Sequence, residues 1–151
     1  MIADDHPVVR EGLVTILKSE KDIEVVAEAA DGKETCELYH ELAPDVLLLD
    51  LRMPGKDGLQ VITDLMSHGE PRPRIIAMTT YESEADVRRV LKAGAKGYVV
   101  KGADPWQIRE AIRKVAAGQS PFQPEIASKL AKSMARPEFS ERQVLQIMAL
   151  G

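Results

Sequence analysis

Polar side chains stand at the ends of short apolar segments spread over most of the chain. In chain order they are Asp4, Asp5, Asp50, Thr79 and Lys101. Carboxylates are ligands for a divalent cation, a hydroxyl can donate a hydrogen bond to a phosphoryl oxygen, and an ammonium group balances phosphoryl charge. The carboxyl ends of strands in an open parallel α/β sheet share one edge, where ligands bind. The set therefore predicts a site for a phosphoryl group and a divalent cation.

Asp50 has the position of a nucleophile, because it follows the apolar run 46–49 and precedes the loop 51–57. A carboxylate placed there can attack phosphorus and form an acyl phosphate. Attack by one anion on another requires positive charge, which Mg²⁺ held by Asp4, Asp5 and Asp50 would supply. Lys101 would neutralise phosphoryl oxygens, and Thr79 would donate a hydrogen bond to one of them.

Each of these residues also has a simpler explanation. Asp4 and Asp5 could cap the following helix, and Thr79 could be an ordinary strand former. Asp50 could be a loop residue and Lys101 a solvated charge. Their joint placement favours the shared site, because apolar strands seldom all end in side chains that suit one ligand.

Composition limits the function classes. A chain of 151 residues with 44% hydrophobic content suits one globular domain of common size with some residues left over. The net charge of −4 argues against a protein that binds nucleic acid mainly through charge. No apolar run has the roughly 18 residues that span a bilayer, and no signal peptide pattern opens the chain, so we expect a cytoplasmic protein.

Cysteine and histidine usage favours neither a disulfide nor a zinc site. The single cysteine, Cys36, cannot form an internal disulfide and is expected to be a half-buried helix residue. His6, His40 and His68 are scattered without metal-ligand spacing. We therefore predict that the histidines are surface or capping residues.

Hydrophobic periodicity predicts five strands that alternate with five helices. The strands are expected over 1–3, 23–29, 46–49, 75–78 and 97–100, and the second helix is expected to be capped by Asp31. The other helices are expected to begin at Pro7, Gly58, Ser83 and Pro105, with the first ending at Glu20. Alternation of this kind implies a parallel sheet with helices on both faces, and the apolar run 46–49 should be its central strand.

The pattern changes after Gly118. Residues 119–124 form a turn-rich boundary, and a further helix is predicted over 126–136. Ser140 then offers a capping box for a last helix that has too little companion sequence to bury its apolar face. We expect that helix to belong to a second domain.

Four segments together resemble the receiver domain of two-component response regulators: 2–13, 50–58, 79–82 and 94–101. They resemble in particular the NarL/LuxR-type transcription regulators, and residues 139–145 with 149–151 are similar to the opening of a LuxR-type helix-turn-helix domain. The resemblance implies a doubly wound, flavodoxin-like α/β fold with five parallel strands in the order 2-1-3-4-5 and a C-terminal helical linker. It implies a receiver domain over 1–118, a linker with a helix over 119–138 and the start of a truncated helix-turn-helix over 139–151.

The same resemblance implies roles for the site residues. Asp50 would be the phosphoacceptor, and Asp4, Asp5 and the backbone carbonyl of Arg52 would join it in binding Mg²⁺. Lys101 would pair with the phosphoryl group. The protein would not be an enzyme beyond its own phosphotransfer and dephosphorylation.

Thr79 would be the switch hydroxyl, and Tyr98 the aromatic residue that turns inward with it. The implied partners are a sensor histidine kinase, a second copy of the phosphorylated chain, and DNA through the full-length C-terminal domain, with no membrane. No recognition helix follows Gly151, so we do not expect these 151 residues to bind DNA specifically.

Alternatives remain open at this stage. One is a receiver that acts through protein–protein interaction without phosphorylation. A phosphatase of the haloacid dehalogenase type is disfavoured, because it needs an aspartate where Arg52 stands. A nucleotide- or flavin-binding module is disfavoured because no glycine-rich phosphate loop follows the first strand.

Overall fold

A five-stranded parallel sheet organises the chain. The computed structural model describes residues 1–69, 71–79 and 84–120. The strands run in the spatial order β2-β1-β3-β4-β5, and every neighbouring pair is parallel. The predicted doubly wound α/β fold and its strand order are therefore confirmed. The strands are β1 (Ile2–Ala3), β2 (Glu28–Ala29), β3 (Leu47–Asp50), β4 (Ile75–Thr79) and β5 (Gly97–Val100).

Five helices connect or follow these strands, and local signals set where they begin. The Asp31 side chain accepts a hydrogen bond from the Glu34 amide at 2.8 Å, which confirms the predicted cap. Asp57 and Gln60 form a reciprocal capping box at the start of the helix that begins at Gly58. The predicted starts at Pro7, Gly58 and Pro105 are confirmed, whereas Ser83 lies outside the described residues. The helices are α1 (Pro7–Lys18), α2 (Gly32–Leu42), α3 (Gly58–Met66), α4 (Glu84–Ala93) and α5 (Pro105–Ala116).

Both faces of the sheet are covered by apolar side chains. On one face Leu47 and Leu49 of β3 belong to a core that includes Val61 of α3 and Val87 of α4. On the other face Leu48 belongs to a core formed with α1 and α5. The three leucines are at most 2% exposed, so β3 is the central strand that its apolar sequence predicts.

The predicted bounds of one strand and one helix were wrong by two residues or more, and the strands expected over 1–3, 46–49 and 75–78 differ by one residue at one or both ends. The strand expected over 23–29 is reduced to Glu28–Ala29, because β2 is an edge strand whose single partner, β1, offers two paired residues. Residues Ile23 and Val25 still pack against the core, which explains their apolar character. The first helix ends at Lys18 rather than Glu20, and the Ser19 hydroxyl there donates a hydrogen bond to the Ile16 carbonyl.

The C-terminal predictions remain predictions. The helix expected over 126–136 and the helix expected from Ser140 both lie outside the described residues. None of the helices within the described ranges is long and apolar enough to cross a bilayer.

Candidate functional site

The strand ends bring three of the predicted residues into direct contact. Asp4 follows β1, Asp50 ends β3 and Lys101 follows β5. The Lys101 ammonium lies 2.8 Å from Asp4 Oδ2 and 2.9 Å from Asp50 Oδ2. The side chains of Asp4, Asp50 and Lys101 are 0%, 2% and 6% exposed, so these charges meet almost out of contact with solvent.

Parallel pairing explains why Asp4 lies beside Asp50. Ala3 of β1 is in register with Leu49 of β3, so the next residue of each strand is an aspartate at the same edge. The Asp4 amide donates a hydrogen bond to the Ala29 carbonyl at 3.0 Å. Arg10 donates to the Asp4 carbonyl at 2.6 Å and pairs with Glu28 at 3.3 Å. Arg10 therefore positions Asp4, a role that the sequence analysis missed.

A close backbone contact fixes the loop after Asp50. The Gly58 amide donates a hydrogen bond to the Leu51 carbonyl at 3.1 Å. A Cβ atom at position 58 would lie 2.6 Å from Leu51 Cα and 2.7 Å from the Asp50 carbonyl oxygen, which is too close for any side chain. Asp50 Oδ1 also accepts a hydrogen bond from the Arg52 amide at 3.1 Å. Glycine at this helix start therefore holds the loop against the carboxylate.

Arg52 was predicted to offer its backbone carbonyl to Mg²⁺, and that role stays a prediction. The structure shows its amide on Asp50 Oδ1, as described above. Its side chain is 67% exposed and reaches towards α4, where its guanidinium lies 3.7 Å from an Asp86 carboxylate oxygen. Arg52 thus links the loop after Asp50 to α4.

Burial and neighbouring charges shift the pKa values of Asp50 and Lys101. Burial raises the pKa of Asp50 above its ordinary value, although Lys101 and the Arg52 amide oppose this rise. Burial lowers the pKa of Lys101, but the Asp4 and Asp50 carboxylates outweigh that effect and leave the pKa raised. Lys101 therefore remains an ammonium group at neutral pH, and it is the buried cation beside Asp50.

The acidic cluster fits a divalent cation. Asp4 Oδ2 and Asp5 Oδ1 are buried oxygens, and the ionic groups beside them are the Lys101 ammonium at 2.8 Å and His6 Nδ1 at 3.0 Å. One ligand atom from each of Asp4, Asp5, His6 and Asp50 lies within 4.8 Å of all the others. Hard cations such as Mg²⁺ take carboxylate oxygens together with water. The donor set therefore suits such an ion.

His6 is the member of this cluster that the sequence analysis missed. Its side chain is 61% exposed and it occupies the position before α1, as a surface or capping histidine would. Its ring makes no capping hydrogen bond, however, and its Nδ1 lies 3.0 Å from Asp5 Oδ1 and 3.2 Å from Asp4 Oδ1. The signal available in the sequence was its place directly after the two aspartates.

His40 and Cys36 lie on α2 and His68 lies just after α3, away from the strand ends. His40 and His68 are exposed, and their ring centroids are 4.5 Å apart. Cys36 is half-buried, as predicted.

Thr79 and Tyr98 lie on the face of the sheet covered by α3 and α4. Thr79 ends β4, is 1% exposed, and lines a cavity of about 620 Å³ together with Arg52, Met53 and Asp86. Its carbonyl accepts a hydrogen bond from the Lys101 amide at 2.7 Å. Tyr98 is fully buried and pairs in register with Ala77, two residues before Thr79. Their proposed switch roles stay predictions.

Comparison with known proteins agrees with this geometry. Residues 1–113 match the model of the response regulator receiver domain. The chain belongs to this family. That membership confirms the resemblance that the strand-end motifs predict.

The relatives of this receiver include LuxR-family regulators. The response regulator protein VraR of Staphylococcus aureus is 36% identical over 136 residues, which cover 90% of this chain and 65% of VraR. The chain thus spans less than two thirds of that relative's length. A LuxR-family two-component response regulator from Aurantimonas sp. SI85-9A1 superposes with a TM-score of 0.84 at 35% identity, covering 90% of this chain and 96% of the other.

A third relative was solved with a phosphomimetic. The isolated REC domain of RcsB from Salmonella enterica serovar Typhimurium, in the presence of BeF3−, superposes with a TM-score of 0.77 at 29% identity. The match covers 85% of this chain and 94% of that domain.

Proposed function

We propose that Asp50 of this receiver accepts a phosphoryl group from a sensor histidine kinase in the cytoplasm, in a reaction that depends on Mg²⁺. One observation carries the proposal: a buried carboxylate at the end of the central strand lies 2.9 Å from a buried ammonium group. Family membership and the RcsB domain solved with BeF3− support the assignment.

The chemistry follows from the residues around Asp50. A carboxylate oxygen of Asp50 attacks phosphorus, the bond from phosphorus to the donor nitrogen breaks, and an acyl phosphate forms. Lys101 is placed to pair with a phosphoryl oxygen as the phosphoryl group is transferred to Asp50. Asp4, Asp5, Asp50 and the Arg52 carbonyl would hold Mg²⁺, which supplies positive charge to the phosphoryl oxygens. The chain is expected to catalyse no reaction beyond this transfer and the hydrolysis of the acyl phosphate by water.

Phosphorylation would be transmitted along the α3–α4 face of the sheet. Thr79 would donate a hydrogen bond to the new phosphoryl group, and Tyr98 would follow it because both lie on that face. The surface of α4 and β5 would then change its preference for a second copy of the chain.

The output would be control of transcription. In this proposal residues 1–118 are the receiver, 119–138 the linker and 139–151 the start of a LuxR-type DNA-binding domain. Dimers would place two full-length DNA-binding domains on paired half-sites.

Mass spectrometry of the intact chain after treatment with acetyl phosphate and Mg²⁺ tests the proposal. We expect one acid-labile phosphoryl adduct, absent from Asp50→Asn and retained in Asp45→Asn, an exposed aspartate just before the other end of β3. Size-exclusion chromatography of the treated chain should show a shift to dimer.

Two results would count against this function. An adduct that persists in Asp50→Asn would move the phosphoacceptor elsewhere. A folded wild-type chain that binds Mg²⁺ and forms no adduct would favour the receiver that acts through protein–protein interaction without phosphorylation.

A further inference from the structure

The imidazole of His6 points into the acidic cluster although most of its surface is exposed. Its Nδ1 lies 3.0 Å from Asp5 Oδ1, 3.2 Å from Asp4 Oδ1 and 3.9 Å from Asp50 Oδ2. Adjacent ligand atoms about 2.1 Å from one octahedral cation are about 3 Å apart. His6 Nδ1 therefore lies at the distance from Asp4 and Asp5 that a further ligand of a shared cation would have.

The backbone holds His6 in this place. Its amide donates a hydrogen bond to Asp4 Oδ1 at 2.8 Å, so the residue is tied to the carboxylate beside its ring. Its φ of −95° and ψ of 106° are extended, as expected for a residue before Pro7. The ring therefore has two side-chain torsions left with which to approach the cluster.

Lys101 also approaches the ring nitrogen of His6. Its ammonium lies 3.4 Å from His6 Nδ1. This contact is favourable when Nδ1 presents a lone pair, whereas the contacts with Asp4 and Asp5 are favourable when Nδ1 carries a proton. A cation bound between the carboxylates would replace that proton, which leaves the Nδ1 lone pair as a ligand.

We propose that His6 is a nitrogen ligand of the cation at this site, so that the site binds Co²⁺ and Mn²⁺ in preference to Mg²⁺. The inference rests on the cation site of the proposed function and goes beyond it by naming a fourth side-chain ligand. Mg²⁺ prefers oxygen ligands, whereas imidazole suits first-row transition metals. Three carboxylates alone would give a weaker preference than three carboxylates with an imidazole.

Calorimetric titration of the full chain with MgCl2, MnCl2 and CoCl2 measures the preference. We expect His6→Gln to weaken Co²⁺ binding by about tenfold and Mg²⁺ binding by about twofold or less. His40→Gln/His68→Gln is the control, because those two rings are in contact with each other and are the other imidazoles of the chain.

Pulsed electron paramagnetic resonance of bound Mn²⁺ identifies the ligand directly. The His40→Gln/His68→Gln background leaves His6 as the only imidazole among the 151 residues. We expect the ¹⁴N coupling of a directly bound imidazole in that background and its loss when His6→Gln is added. Asp4→Asn should weaken binding of all three ions.

The outcomes separate this inference from the function on which it rests. If Asp4→Asn weakens metal binding but no imidazole coupling appears, the cation site stands and the role of His6 is wrong. If His6→Gln tightens the binding of all three ions, the ring competes with the cation, and the inference is overturned. If the wild-type chain binds none of the three ions, the cation site and the inference fall together, whereas phosphorylation of Asp50 is still judged by its adduct.

Discussion

Two groups of charged side chains in this receiver differ in burial. The strand-end site contains Asp4, Asp5, Asp50 and Lys101, and its central pair is almost fully buried. The helix network joins α5 to the segment after α1 and is 25–57% exposed. The helix network consists of Glu20, Asp22, Arg109, Glu110 and Arg113.

The balance of charge also differs. Arg113 makes ionic contacts with Glu20, Asp22 and Glu110, so each carboxylate of the helix network has an arginine within 3.2 Å. The strand-end site has three carboxylates against one ammonium group. Exposed, paired charges contribute modestly to stability and are screened by salt. Buried and unbalanced charges oppose folding, which indicates that they are kept for chemistry.

The pKa values of one aspartate at each place are shifted in opposite directions. Burial raises the pKa of Asp50, whereas the hydrogen bond from Arg113 lowers the pKa of Asp22. Ionised Asp50 therefore destabilises the folded state, and this cost develops as the pH rises from about 3.8 through its raised pKa. Ionised Asp22 stabilises the folded state, and that contribution is lost as the pH falls through its lowered pKa.

The largest expected effect follows from removing the ammonium group of Lys101 from the strand-end site. Lys101→Met leaves Asp4 and Asp50 buried without a neutralising partner, which should lower the free energy of unfolding by about 3 kcal/mol. Chemical denaturation at neutral pH without Mg²⁺ measures the change, and Mg²⁺ should restore part of the loss. Lys96→Met is the matched control because Lys96 is exposed just before β5. Equal effects of the two substitutions would remove the distinction between buried and exposed charge.

A smaller effect of opposite sign is expected for Asp50. Asp50→Asn removes a destabilising charge and should raise the free energy of unfolding by about 1–2 kcal/mol at neutral pH without Mg²⁺. The advantage over wild type should shrink as the pH falls towards 3.8, because wild-type Asp50 then becomes protonated. Denaturation curves across this pH range measure the difference. A variant less stable than wild type at pH 7 would show that Asp50 stabilises the fold.

The smallest effect is expected in the helix network. Arg113→Gln should destabilise the chain less than Lys101→Met does, and the loss should diminish in 1 M salt as exposed charges are screened. The loss should also shrink as the pH falls from about 3.8 through the lowered pKa of Asp22, because the ionised carboxylate that Arg113 stabilises is then protonated. Thermal unfolding at low and high salt measures it, with the neighbouring exposed Lys114→Gln as control. A salt-independent loss would mean that Arg113 acts through packing.

Local signals in the sequence were enough to predict the sheet and the convergence of its strand ends. The apolar run before Asp50 and the cap at Asp31 act over a few residues, so periodicity and capping rules detect them. The shortening of β2 depends on a two-residue partner far away in the chain. The approach of the His6 ring to Asp5 depends on side-chain torsions, which no spacing rule describes.

Arg10 gives the strand-end site a mechanical connection to the weakest edge of the sheet. Its guanidinium holds the carbonyl of Asp4 and also contacts Glu28, one of two paired residues of β2. An edge ladder of two residues frays more readily than the central strands, because few hydrogen bonds must open. Each such opening releases a restraint on a metal-ligand candidate. Amide hydrogen exchange in β2 thus reports how tightly Asp4 is held, at a strand that lies outside the strand-end site.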